Sequence, residues 1–519
     1  MGGGLMQLVS YGAQDIYISG NPQITFWKIL YKRHTNFAME SIEVTFNGQA
    51  DFNKRVTAVI NRNADLMYKT YLQVVLPEVS LTGSQGFRWL NYIGHRLIKQ
   101  VEIEVGGQRI DRQYGDWMQI WTQLTTEAGN IKALDSIIGN THDLVLMKRG
   151  NGLALDATCS ASETTISCVA RAGTPAKTLY IPLQFWFCRN PGLAIPLIAL
   201  QYHEVRINVD FETWQNCQYY ESALGVPAAL AAKSLAAASL YVDYVYLDTE
   251  ERRRFAQQSH EYLIEQVQFT GAESITSSSN KIQLNFNHPV KELQWVVQRD
   301  SFVDCSNAAW LASVGGAQPF NYSDDFSTDG IITSLLAQAN SGANAAAMAT
   351  QTNASNATAF TMPLGGNATA NSTFYGAESV DVAGITEFDT GVNYLLAKVI
   401  LDSNVRCEGK NPVEVAKLQL NGQDRFTERE GSYFDKVQPF QHHTRTPSTG
   451  INVYSFALRP EEHQPSGTCK FSRIDKATLQ LNVSLNTVVG SHTAQVRVYA
   501  LNYNVFRVMS GMGGLAYSN

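Results

Sequence analysis

The sequence predicts an all-β fold of two antiparallel sandwiches in tandem, on three observations. Apolar and polar residues alternate strictly at 42–46 (IEVTF), 101–105 (VEIEV), 205–211 (VRINVDF), 282–286 (IQLNF) and 479–485 (LQLNVSL). A period of two turns one face of a strand to a core and the other to water, the pattern of stacked antiparallel sheets. Short blocks recur in the same order in the two halves of the chain. Finally, 519 residues exceed one core at roughly 150 residues per domain, and 44% hydrophobic with 10% aromatic content supplies enough side chain to bury.

Taken in order, residues 1–26 form an apolar but short arm, with Tyr11, Ile16, Tyr17 and Ile18 as anchors. The arm has no basic region followed by an apolar stretch. Met6 stands where an N-myristoylation signal wants Ser or Thr, so no targeting signal is read. Residues 27–248 make the first sandwich. Its one helical pattern places Trp117, Ile120, Trp121 and Leu124 on one face after Asp116 as N-cap, a core-packing face. An insertion at about 130–177 separates paired strands. Residues 249–261 are the connector, with Glu250, Glu251, Arg252, Arg253 and Arg254 as a solvated or salt-bridged charge run. Residues 262–519 make the second sandwich, interrupted by an insertion at about 299–397. Within it, 330–377 contains no Asp, Glu, Lys, Arg or His and is dominated by Ala, Asn, Ser and Thr. Loops this long are functional or mobile rather than filler, and both are expected to project from the scaffold.

Four pairs of blocks carry the duplication. IEVTFNG at 42–48 is echoed by IEQVQFTG at 264–271. Asn53-Lys54 leading to Ile60 is matched by Asn280-Lys281 leading to Asn285. Val105-Gly106-Gly107-Gln108 is matched by Leu420-Asn421-Gly422-Gln423. The strand, Pro-containing loop and strand across 180–211 are matched across 453–485.

Enzyme motifs are missing from the sequence. The chain lacks G-x-x-x-x-G-K-[ST], H-E-x-x-H, G-x-S-x-G and an EF-hand loop. Gly511-Met512-Gly513-Gly514-Leu515-Ala516 fits a dinucleotide fingerprint but is not followed by the helix that such a site needs, so a Gly-rich tail packing on a neighbour is expected. His442 and His443 are adjacent, and His203-Glu204 and His260-Glu261 lack a second ligand at useful spacing. Seven cysteines without C-x-x-C spacing indicate neither a disulfide framework nor zinc. No cofactor or metal is expected. The balance of 40 basic against 46 acidic residues, net −6, argues against direct nucleic-acid binding. No apolar run reaches the roughly 18–20 residues that span a bilayer. Asn-x-Ser/Thr occurs at Asn321, Asn353, Asn356, Asn367 and Asn371, candidate glycosylation sites in the second insertion, and at Asn482 inside a strand.

Blocks from end to end resemble the major capsid proteins of nucleocytoplasmic large DNA viruses, most closely those of large algal viruses. They are 8–22 (LVSYGAQDIYISGNP), 36–41 (NFAMES), 106–111 (GGQRID), 190–205 (NPGLAIPLIALQYHEV), 248–255, 260–271, 420–426 (LNGQDRF), 431–439 (GSYFDKVQP), 464–475 (QPSGTCKFSRID) and 502–519. The resemblance implies a double jelly roll of two eight-stranded sandwiches with long inserted loops and a short helix. It further implies a structural, non-enzymatic subunit, a homotrimer forming a pseudo-hexagonal capsomer that tiles an icosahedral shell, with assembly in the host cytoplasm. The long loops would lie on the outer face. The arm would lie beneath the rolls, towards minor capsid proteins and an internal membrane. Two other classes stay open at this point. A glycan-binding sandwich would need an exposed aromatic cluster such as Tyr219 and Tyr220 or Phe374 and Tyr375. A hydrolase would need a constellation assembled from distant residues.

Overall fold

The structure is a computed structural model that describes residues 2–23, 26, 31–82, 85–146, 148–149, 157–161, 166–170, 173–221, 233–303, 316–325, 409–488 and 492–517. The alternating segments become strands whose alternate residues are buried. In Ala477–Val483, for example, Ala477, Leu479, Leu481 and Val483 are buried, while Thr478, Gln480 and Asn482 are not.

Eight principal strands form the first sandwich: β1 (Phe37–Val44), β2 (Arg55–Ile60), β3 (Leu66–Leu76), β4 (Ile98–Val105), β5 (Gln108–Tyr114), β6 (Lys177–Pro182), β7 (Val205–Phe211) and β8 (Ala237–Leu247). They pair antiparallel as β1-β8-β3-β6 and β2-β7-β4-β5. Eight more form the second: β9 (His260–Ile275), β10 (Ser279–Leu284), β11 (Pro289–Arg299), β12 (Val413–Leu420), β13 (Gln423–Asp424), β14 (Ile451–Ser455), β15 (Ala477–Val483) and β16 (Ala494–Met509). These pair antiparallel as β9-β16-β11-β14 and β10-β15-β12-β13, the same permutation. The duplicated sequence is therefore a duplicated jelly-roll topology, and each repeated block falls on equivalent strands. The β4–β5 turn uses Gly106 (φ 59°) and Gly107 (φ 83°), and the β12–β13 turn uses Asn421 (φ 50°) and Gly422 (φ 82°). Two successive positive φ values make the hairpin turn whose twist matches the flanking strands, which is why Gly and Asn stand there.

Helices fill the connections. α1 (Gly3–Val9), in the arm, buries no residue. α2 (Gly115–Thr125) is the helix expected from the sequence, with Trp117, Ile120, Trp121 and Leu124 all buried. Its start corrects the expectation. Tyr114, not Asp116, occupies the cap position, and Asp116 lies in the first turn, where its carboxylate pairs with Arg497 of the second roll. The first insertion is also more ordered than a projecting loop. It carries α3 (Ile131–Ile138), whose Ile138 is buried, ending at Gly139 with φ 84°. It also carries a hairpin of Ala157–Ala161 with Ile166–Ala170. The charge run is a helix, α4 (Thr249–Gln257), because Asp248 Oδ1 accepts from Thr249 N at 2.8 Å and Glu250 and Glu251 stand in its first turn. Of the second insertion, the described stretch 316–325 folds back, with Phe320 and Tyr322 buried against the first roll.

Candidate functional site

Among the described residues the densest chemistry lies where the two rolls meet. Residues of the β9-β16-β11-β14 sheet divide between two cores. Leu293, Trp295, Val297, Tyr454, Val498 and Ala500 point into the second roll. Val267, Val296, Ile451, Val453, Tyr499 and Leu501 point the other way, and with Ile264 they merge with the core of the first roll. Consequently β11 is buried on both faces from Val290 to Gln298. From the first roll come β5, α2 and the segment after β6. The Tyr114 ring meets Phe269 edge-on at 5.0 Å, and the Trp186 ring lies 6.2 Å from Phe506.

Polar contacts fix the register of this junction. Asp111 Oδ1 accepts from Val267 N at 3.1 Å, and Gln266 Nε2 donates to the Ile110 carbonyl. Gln123 Oε1 accepts from Ser448 N (3.0 Å) and Oγ (2.6 Å), and Asp116 pairs with Arg497 at 2.5 Å. Arg189, stacked 4.9 Å over Trp121, reaches Glu265 Oε2 at 2.8 Å, while Lys291 reaches Glu265 Oε1 at 2.6 Å. Burial alone would raise the Glu265 pKa, but the Arg189 and Lys291 charges outweigh it and hold the carboxyl at about 2. Asp111 shows the opposite balance. Burial pushes it up to about 6 against the hydrogen bonds from Val267 and Gln113. A second buried group lies nearby on β11. His443 Nε2 is 3.1 Å from Glu292, and its Nδ1 is 2.8 Å from Glu461. Burial pulls the imidazole down, but the two carboxylates carry it up to about 9. Lys291 and Glu292 are adjacent and both buried, since β11 is covered on both faces, and the ladder to β16 shifts register between Val290 and Glu292.

The sequence did not disclose these groups. Glu265, Lys291 and Glu292 look like the solvent positions of alternating strands. The one signal was that β11 lacks clean alternation. His443 was legible only as one of an adjacent pair.

The junction charges neutralise one another by direct pairing. An open cleft of ≈ 390 Å³ beside them is lined by His95, Arg96, Lys99, Asp116, Glu212 and Arg497 among others. Its histidine, held by burial at a pKa of about 4 with Nδ1 on Gln119 Oε1 at 2.6 Å, is neutral at neutral pH. Among the described residues no cluster of three or more His, Cys, Asp or Glu is placed to hold a metal, and no helix is long and apolar enough to cross a membrane. The Gly-rich tail is a strand, Met512–Leu515, paired with β16. It closes on the first roll of its own chain, where Gly513 N donates to His203 Nδ1 at 3.1 Å and Leu515 N donates to Gln108 Oε1 at 3.2 Å.

Other positions singled out in the sequence are placed as follows. Tyr219 and Tyr220 lie half-buried on a short strand, Gln218–Glu221, so they form no exposed aromatic cluster. Phe374 and Tyr375 lie outside the described residues, as do Asn353, Asn356, Asn367 and Asn371. Asn321 is half-buried and fully engaged. Its Nδ2 donates to Gln318 Oε1 (2.8 Å) and the Asp325 carbonyl (2.9 Å), and its Oδ1 accepts from Ser323 N and Oγ. The arm anchors Tyr11, Ile16, Tyr17 and Ile18 are all exposed.

Comparisons with known proteins agree with this geometry. Residues 251–514 match the model of the large eukaryotic DNA virus major capsid protein family, and residues 25–248 match that of the major capsid protein N-terminus. The chain is 58% identical over 532 residues to the major capsid protein of Phaeocystis pouchetii virus and 38% identical over 542 residues to that of Paramecium bursaria Chlorella virus 1, covering all of each. Among solved structures it resembles PBCV-1 VP54, with TM-score 0.61, 33% identity, and 95% of this chain and 100% of that chain covered. The Faustovirus major capsid protein shares the fold at 14% identity, with TM-score 0.64 and coverage of 96% and 94%. The two rolls, joined through a buried junction, are a double jelly roll, and the chain belongs to the major capsid protein family of large eukaryotic DNA viruses, a structural component of the virion shell.

Proposed function

We propose that three copies of this chain associate into one capsomer whose six rolls give it a pseudo-hexagonal outline, and that capsomers tile an icosahedral shell. The observation that carries this reading is the repeated strand order joined through a rigid junction. Two alike rolls held side by side let a threefold assembly present six nearly equivalent sides, so one chain can pack hexagonally with itself. The chain then works by assembly and not by turnover. The long second insertion faces outwards. The exposed apolar arm meets minor capsid proteins or the internal membrane, and particles assemble in the host cytoplasm. Negative-stain images of purified assemblies should give six-sided averages with threefold symmetry, and averages with twofold symmetry would contradict the reading.

Among the five sequon asparagines of the second insertion, Asn321 is the one that folding withdraws, since a glycan on Nδ2 would replace two hydrogen bonds in a half-buried turn. Peptide mass spectrometry of virion protein should find Asn321 bare even where Asn353, Asn356, Asn367 or Asn371 carries glycan.

A further inference from the structure

The common topology of the two rolls makes one difference between them informative. In the second roll the outer face of the β9-β16-β11-β14 sheet is covered by the first roll. Among the described residues nothing covers the equivalent face of β1-β8-β3-β6 in the first roll. There Tyr180 on β6 is 44% exposed and Glu43 on β1 is exposed, with Tyr71 on β3 and Tyr241 on β8 half-buried. The two faces are built alike. Glu43 stands opposite Tyr241 across β1 and β8, and Glu265 stands opposite Tyr503 across β9 and β16. Glu265 is met by Arg189, arriving from the first roll.

The covering surface has a counterpart as well. A Cβ on Gly115 would stand 2.3 Å from the carbonyl oxygen of Ile98, at the head of β4, and one on Gly431 would stand 1.8 Å from that of Val413, at the head of β12. Each glycine lets the following helical segment turn off the same point of its roll. Val437 and Phe440 hold the spacing from Gly431 that Trp121 and Leu124 hold from Gly115. Leu458 follows β14 where Trp186 and Phe187 follow β6. The first-roll set is buried at the junction, whereas Val437, Phe440 and Leu458 are 39%, 81% and 73% exposed. His442 Nδ1, 3.0 Å from the Leu458 carbonyl oxygen, ties the helix to this loop in one patch. Beside Leu458 stands the exposed Arg459, a guanidinium in the loop after β14 as Arg189 is one in the longer segment after β6, and it pairs with Glu462 at 3.0 Å.

We propose that the Val437, Phe440, Leu458 and Arg459 patch of one copy docks on the Glu43, Tyr71, Tyr180 and Tyr241 face of a second copy, repeating between chains the contact that the rolls make within one. The proposal rests on the capsomer reading and specifies its interface. The contact is head-to-tail, so it closes only as a ring. It buries aromatic and aliphatic side chains at its centre and sets a guanidinium against a carboxylate at its edge.

Native mass spectrometry of the full chain tests it. Tyr180→Arg and Phe440→Arg should each raise the dissociation constant at least a hundredfold and yield folded monomers, while Leu485→Arg, on another exposed part of the second roll, leaves the trimer intact. Mixing the two monomeric variants should give a two-chain species, because each retains the face the other lacks, and a mixture that stays monomeric would overturn the pairing. Glu43→Arg and Arg459→Glu should each weaken assembly, and their combination should restore it. Trimers that survive Tyr180→Arg and Phe440→Arg would overturn the placement while leaving the capsomer reading standing, whereas a monomeric wild type would overturn both. Hydroxyl-radical labelling of the wild-type trimer needs no variant. Phe440 should react several-fold more slowly than Leu485, although the isolated chain exposes it more, and faster labelling of Phe440 would count against the interface.

Discussion

Glu265 sits where the rolls meet, with Arg189 of the first roll and Lys291 of the second on its two oxygens. A buried ion group of this kind is fragile to removal of one member, because the remaining charges lose their partner in a place water cannot reach. Glu265→Gln should therefore destabilise the protein by about 3–5 kcal/mol in denaturant titrations, and replacing Glu265, Arg189 and Lys291 together by Met should cost far less. His443 gives stability a pH dependence. Its folded pKa of about 9 lies above the ordinary value of 6.5, so its contribution is fully present below about pH 6.5 and is lost as pH rises through 9. Urea midpoints should fall between pH 7 and 10 by the equivalent of up to about 3 kcal/mol, and His443→Gln should flatten that slope. Asp111, shifted the same way to about 6, has given up its contribution before this window opens. These groups were hidden in the sequence because a charged residue on an alternating strand reads as solvent-facing until the other roll is laid over it.

Elements were the most legible level where their signal was local. Alternation located β7 and β15, and the apolar spacing of Trp117 to Leu124 located α2, because strand and helix periods need only neighbouring residues. The turns at Gly106-Gly107 and Asn421-Gly422 carried both the hairpins and the repeat. α4 resembles a charged linker in sequence because its residues carry little apolar signal; its Asp248 cap and first-turn glutamates decide the structure. Asp116 was misplaced as a cap because its partner, Arg497, belongs to the other roll. Nothing local in the sequence marks Gly115 and Gly431, since their need for a bare Cα comes from strand-end carbonyls distant in the chain. Gly115→Ala and Gly431→Ala should each lower stability by more than about 2 kcal/mol in thermal unfolding, through backbone collision at buried turns. Deleting residues 2–23 should leave the melting temperature within a degree or two of wild type, because the arm makes no buried contact. Its effect should appear only in assembly.

At the scale of the whole molecule, the double fold was legible because duplication repeats blocks in order, and the family resemblance ran through those same blocks. What was not legible is that the rolls share one continuous core across their junction, with the second roll buried on a face that nothing among the described residues covers in the first. On the proposal above, that asymmetry leaves the single chain one part of a ring. The measurement that tests this account most directly is native mass on dilution of the recombinant chain in neutral buffer at moderate salt, by light scattering or mass spectrometry. A species near three times 57.4 kDa that persists on dilution is the result predicted. A folded monomer at every concentration would contradict it.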